Sequence, residues 1–140
     1  MAAITEINQI LVKAVQDGGF ALDSQIAFEN FTFNKDDLDF YLAIFNLRAP
    51  TELAELGAEG CDKHQGVFQL DVNYKQGGGV DELLTKADEI NAVFKNGATF
   101  AGASESVNIT NVTAEPVTTA QGWATVSMTI NYYCFTLRVQ

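Results

Sequence analysis

The chain has 140 residues, 47% of them hydrophobic and 19% charged, a composition that excludes an intrinsically disordered polymer. At about 100–200 residues per domain, this predicts one domain spanning residues 1–140. Eight Lys and Arg stand against eighteen Asp and Glu, a net charge of −10, which excludes duplex DNA or an anionic membrane as the primary partner because like charges repel.

The N-terminal residues Ile4, Ile7, Leu11 and Ala14/Val15 recur every three or four positions, one apolar stripe on a helix that Asp17-Gly18-Gly19 ends. Ile26–Phe33 reads as a strand with an irregularity near Asn30. Phe40–Leu47 is apolar at nearly every position, the pattern of a central strand covered on both sides. Pro50–Lys63 reads as an acidic loop carrying Glu52, Glu55, Glu59 and Asp62, with a short helical turn at Glu52–Leu56. Phe68, Leu70 and Val72 alternate with Gln69, Asp71 and Asn73, a half-buried strand with period two.

Gln76-Gly77-Gly78-Gly79 breaks that strand, and Leu83, Ala87, Ile90 and Phe94 mark a second amphipathic helix closed by Asn96-Gly97. Thr99–Ala101 is a short strand; Val107, Ile109 and Val112 belong to another; Pro116–Gly122 is a connection. Trp123–Val139 is one long strand candidate of about 17 residues against a usual 5–6. A strand of that length bends, bulges or pairs beyond its own sheet. The fold expected is α+β, α-β-β-β-α-β-β, a mostly antiparallel twisted sheet with two helices on one face. The crossover through Val80–Phe94 is long enough for one parallel neighbour pair.

No apolar run reaches the about 18 residues of a membrane-spanning helix. Met1–Ala14 is interrupted by Thr5, Glu6, Asn8, Gln9 and Lys13, so no signal peptide is expected, and Cys61 and Cys134 are expected as free thiols. Catalytic chemistry finds little to stand on. His64 is the one histidine and lacks the second Cys/His pair of a zinc site. Gly77-Gly78-Gly79-Val80-Asp81-Glu82 does not fit a phosphate cradle, and its acids repel phosphate. Asp36/Asp37 and Asp81/Glu82 read as solvated charges, and Trp123 with Tyr132/Tyr133 as packing rather than a base-stacking platform. No catalytic, metal or cofactor site is expected.

Several segments together resemble a known family. Ile26-Ala27-Phe28-Glu29-Asn30 is similar to the I-A-W-E-N strand of bacteriophage tail terminator proteins (the lambda minor tail protein U group), with Phe28 in place of the usual Trp. Phe40-Tyr41-Leu42 resembles their P-Y-L-R strand, Phe40 standing where Pro is usual, and Gly66–Tyr74 their G-x-x-Q-V-D-V-x-Y strand. Ala87-Asp88-Glu89-Ile90 resembles the A-D-x-I helix, and Gln121-Gly122-Trp123 the G-W entry to the last long strand. Order and spacing hold from about residue 20 to residue 134.

The resemblance implies a structural, non-enzymatic protein of the virion tail and neck, assembled in the host bacterial cytoplasm. It implies a homo-oligomeric ring, usually of six subunits, at the head-proximal end of the tail tube. Such a ring stops tube polymerisation and meets the head–neck connector protein, and DNA passes its channel without specific binding. Six subunits at −10 each carry a formal −60, which repels DNA from a channel wall. Glu52, Glu55, Glu59 and Asp62 are the expected tube contact or channel lining. Tyr132, Tyr133, Phe135, Leu137 and Arg138, with a face of the first helix, are the expected subunit interface. The alternatives are a head-completion or tail-joining adaptor and, from another class, a monomeric small-ligand binding module.

Overall fold

A computed structural model describes residues 3–53 and 60–137. Helix α1 (Ala3–Asp17) is followed by a single 3₁₀ turn (Asp23–Gln25), then β1 (Ile26–Ala27), β2 (Phe40–Arg48), β3 (Glu52–Leu53) and β4 (Cys61–Lys75). After α2 (Asp81–Val93) come β5 (Thr99–Ala101), β6 (Ser106–Ala114), β7 (Thr118–Ala120) and β8 (Trp123–Leu137). All strands share one sheet in the order β1-β2-β4-β8-β6-β5, with β3 also on β4 and β7 also on β8. Among the described residues only β1–β2 is parallel. The protein is α+β, with both helices on one face.

The expected periodicities account for that face. Ile7, Leu11, Ala14 and Val15 of α1 are buried with Leu83, Ala87, Ile90 and Phe94 of the α2 segment, against Phe68, Leu70 and Val72 of β4 and Val126, Met128 and Ile130 of β8. Ile4, expected in the stripe, is exposed, and Ile10 takes a core place instead. Gly19, just past α1, and Gly97, in the turn between α2 and β5, take φ +71° and +82°, the left-handed conformation glycine adopts without strain. Lys86 fastens α2 to the chain after α1: its ammonium donates to the Phe20 carbonyl at 2.8 Å and lies 5.0 Å from the Phe40 ring centre.

Five local expectations are corrected. The strand expected at Ile26–Phe33 ends at Ala27, because Asn30 turns the chain at φ 60°, a left-handed angle that asparagine tolerates. β2 is fully covered on one side only: Leu42 and Ile44 are buried, while on the other side Tyr41 and Ala43 are half-buried and Phe45 and Leu47 exposed. The loop expected over Pro50–Lys63 is shorter, since β4 already begins at Cys61, and Glu52–Leu53 pairs with Asp62 and Lys63 as a strand rather than opening a helical turn. The connection at Pro116–Gly122 contains β7, which folds onto β8 through Gln121 and Gly122 at φ 52° and 83°. Two consecutive positive φ angles make the tight hairpin turn that matches strand twist. The crossover through α2 joins β4 to β5 at the far edge and makes no parallel pair.

The length of β8 is answered within the chain. β4 is equally long, 15 residues each, and the two pair antiparallel from Lys75↔Trp123 to Cys61↔Leu137. A bulge between Ile109 and Asn111 lets β6 follow the curved spine, returning Val112 to the side of Val107 and Ile109.

Two polar arrangements lock this architecture. Tyr132 is buried; its hydroxyl donates to Asn46 Oδ1 at 2.6 Å, and Asn46 Nδ2 donates to Asn8 Oδ1 at 3.2 Å, tying β8 to β2 and α1. Burial raises the phenol's pKa, so it stays a donor. Gly66 lies in register between Arg48 and Tyr132, and a Cβ there would sit 2.6 Å from the Leu47 carbonyl oxygen and 2.9 Å from the Tyr132 hydroxyl. Separately, the buried Glu6 of α1 accepts from the Ser104 hydroxyl (2.6 Å) and from the backbone N–H groups of Ser104 and Glu105 (2.7 Å each). The Ser104 hydroxyl, then its backbone N–H, hold the Glu6 carboxyl below its ordinary range against the opposing effect of burial.

Gly66→Ala should cost about 1–3 kcal/mol through overpacking, lowering the urea midpoint with an unchanged slope. Glu6 should make stability acid-sensitive. Its folded pKa is depressed, so its contribution is complete above the unfolded carboxylate pKa and is lost as pH falls through the folded value. Urea melts across the ordinary carboxylate range should show a shallower acid loss for Glu6→Gln than for the parent, along with lower stability near neutrality.

Candidate interaction surface

The histidine and the two cysteines sit where chemistry has little purchase. His64 lies between two hydroxyls, Thr51 Oγ1 at 3.2 Å from Nδ1 and Thr136 Oγ1 at 3.0 Å from Nε2. Cys134 is buried, and burial, then the nearby Glu105 carboxylate, push its thiol up to about 11, far from the thiolate a nucleophile requires. Cys61 is half-buried at the start of β4. Among the described residues no group of three or more His, Cys, Asp or Glu is placed to hold a metal.

The sheet face turned away from the helices is organised differently. Strand alternation sends Tyr41, Ala43, Phe45 and Leu47 of β2 to this side, opposite Asn73, Asp71, Gln69 and Val67 of β4. β8 adds Trp123, Thr125, Thr129, Asn131, Tyr133 and Phe135. One end is closed by the chain's own aromatics. Trp123 meets Tyr41 edge-on with centroids 4.8 Å apart, Phe33 lies 5.4 Å from Tyr41, and the Lys35 ammonium sits 5.6 and 5.8 Å from the Tyr41 and Trp123 rings. Beneath them Asn73 is buried, accepting from the Thr125 hydroxyl at 2.6 Å.

The other end is open. Phe45, Leu47 and Phe135 are 39%, 55% and 52% exposed. Leu47 pairs with Val67, Tyr133 and Phe135 meet edge-on at 5.5 Å, and the Lys63 ammonium lies 5.5 Å from the Tyr133 ring centre. A hollow of about 420 Å³ lies here, lined in part by Lys63, Gln65, Val67, Asn131 and Tyr133. Leu47 beside Val67, and Tyr133 beside Phe135, put exposed or half-buried apolar side chains on one face, a candidate interaction surface.

The expected site residues are distributed as follows. Tyr133 and Phe135 are side by side on the open face, whereas Tyr132 points into the core. The Leu137 backbone pairs with Cys61. Glu52 stands opposite Lys63, and Asp62 opposite Leu53, at the base of the β3–β4 hairpin. Glu55, Glu59 and Arg138 lie outside the described residues. Phe45, Leu47, Val67 and Lys63 were not among the expected contacts; the signal for them was the two-sided apolar character of β2.

The Glu29-Asn30 pair also acquires a role. β1 runs beside β2 for two residues, Ile26↔Leu42 and Ala27↔Ala43. Asn30 then turns the chain, and the Glu29 carboxylate accepts the Asn46 N–H at 3.0 Å. A side chain thereby continues the ladder along an edge that would otherwise be open to strand addition.

The fold is an α+β sheet covered by helices on one face and partly uncovered on the other. A solved structure matches over the full length of both chains with a TM-score of 0.77 at 20% identity, which shows a shared fold. No curated protein matches the chain. The model of a family described as phage tail terminator protein matches residues 6–132. The chain belongs to that phage tail terminator family, a structural family of the virion tail.

Glu29→Ala should leave the Asn46 N–H without its acceptor at a cost of about 1–3 kcal/mol. Faster hydrogen exchange at the Asn46 amide is the accompanying sign, and Glu29→Gln, which retains an acceptor oxygen, should show less of both.

Proposed function

We propose that the protein closes into a ring, of six subunits as the family resemblance implies, on the head-proximal end of the tail tube. There it ends tube growth and presents a surface to the head–neck connector. The observation that carries this reading is the open half of the sheet. A domain that buries one sheet face under two helices leaves Phe45, Leu47 and Phe135 in water on the other, and the hydrophobic effect favours covering them. A contact between unlike surfaces that closes by rotation gives a ring and stops, where an unclosed one would grow into a fibre.

The β3–β4 hairpin, with Glu52 and Asp62 at its base and Glu55 and Glu59 between its strands in sequence, is assigned to tube contact or channel lining. Its acids favour basic surfaces and repel passing DNA.

Negative-stain images of the protein mixed with its own tail tubes test the reading, alongside native mass measurement. Rings of defined mass at one end of each tube, and tubes that cease to lengthen, are expected. Leu47→Ser with Phe135→Ser should give folded subunits that neither assemble nor cap. Glu55→Gln with Glu59→Gln should give rings that form but leave tails of uncontrolled length. A parent protein that stays a single subunit at every concentration and leaves tube ends bare would overturn the proposal.

A further inference from the structure

Resting on the ring reading, we infer that the open sheet face of one subunit is covered by helix α2 of the next, with Lys63 meeting the acids of that helix. α2 packs Leu83, Ala87 and Ile90 into its own core and turns a second apolar spot outward. Val80 and Leu84, one helical turn apart, are 45% and 46% exposed. Asp81 and Asp88 flank Leu84 on the same outward side, four residues or fewer from it. Neither is in an ion pair among the described residues.

The sheet patch carries the complement. Phe135 stands opposite Lys63 and Tyr133 receives its ammonium, while Val67, Leu47 opposite it and Phe45 continue the apolar side chains along the same face. Lys63 is in no ion pair among the described residues either: although Glu52 stands opposite it in register, its ammonium faces the Tyr133 ring. An apolar spot ringed by acids fits an apolar patch carrying a cation, and such complementarity selects the partner and its register. It also supplies the layer the sheet lacks, since a sheet face is covered by a helix or another sheet in stable architectures.

The other candidate surfaces fit less well. The outward Lys13 of α1 is already paired with Asp17 at 2.7 Å. Two sheet faces packed against each other would bring two Lys63 ammonium groups to the same interface, a like-charge cost. Because α2 and the open face belong to opposite layers of the molecule, the contact joins unlike surfaces, the class a ring requires.

Charge reversal on the full chain decides the point, read as the subunit concentration at which half the protein is in rings. Lys63→Glu and the pair Asp81→Lys/Asp88→Lys should each raise that midpoint about tenfold or more, as like charges are brought together. Combining them should restore it to within about threefold of the parent, which a folding defect would not do. Leu84→Gln should weaken assembly without any change in the circular dichroism of the subunit. The inference is overturned if rings survive the α2 changes undiminished while Leu47→Ser/Phe135→Ser dissolves them, because the sheet face then has another occupant. A parent chain that forms no rings removes the ring reading and the inference with it.

Discussion

The antiparallel pairing of β4 with β8 is the constraint on which the molecule depends. Fifteen consecutive residue pairs, from Lys75↔Trp123 to Cys61↔Leu137, align two long alternating patterns in one register. A slip of one residue would exchange the faces, sending Phe68, Leu70, Val126 and Met128 to the outside and Gln69, Asp71, Ser127 and Thr129 beneath the helices. Gly66 and Tyr132 belong to the same register. The tyrosine needs its hydroxyl to reach Asn46, and only a residue without a Cβ lets it pass at position 66. A buried polar network is specific because its geometry fails in any other alignment.

A two-layer arrangement follows, and with it an imbalance. Two helices suffice for one face of a broad sheet. On the other face Phe33, Tyr41 and Trp123, with Lys35 over two of the rings, close one end. Polar residues such as Gln69, Asp71 and Thr129 occupy the middle. At the remaining end Phe45, Leu47 and Phe135 are exposed. The protein therefore has a stable fold and an unfinished surface at once, and the second is a consequence of how the first distributes its side chains.

Much of this was legible in the residues. Both helices announced themselves by apolar spacing of three and four with glycines beyond their ends, and β4 and β8 by strict alternation. The failures have physical causes. Phe40–Leu47 looked buried on both faces because apolar character reports that a face is to be covered, not by which chain. Ile26–Phe33 looked like a strand because Asn30 shows its left-handed turn only in three dimensions, and because Glu29 replaces a backbone partner with a side chain. β7 was hidden by its brevity, three residues carrying no period, although Gln121-Gly122 has the makings of a two-residue turn. Tyr132 and Tyr133 were read as one surface. Neighbours on a strand point to opposite faces, so one tyrosine holds the core while the other meets the outside.

The acidity of the chain bears on how strong such association is allowed to be. Subunits with a net charge of −10 repel one another over about a Debye length, some 8 Å at physiological ionic strength, while apolar contact acts only at the interface itself. In the proposed ring the cation of the patch, Lys63, is then more than a local pairing group: it offsets repulsion at the spot where that reading brings the surfaces closest. Association of one α2 outward face with another would meet acid against acid, Asp81 and Asp88 against their copies. In the proposed ring, discrimination governs assembly, with the hydrophobic patch supplying affinity and the charge distribution deciding which approach is admitted.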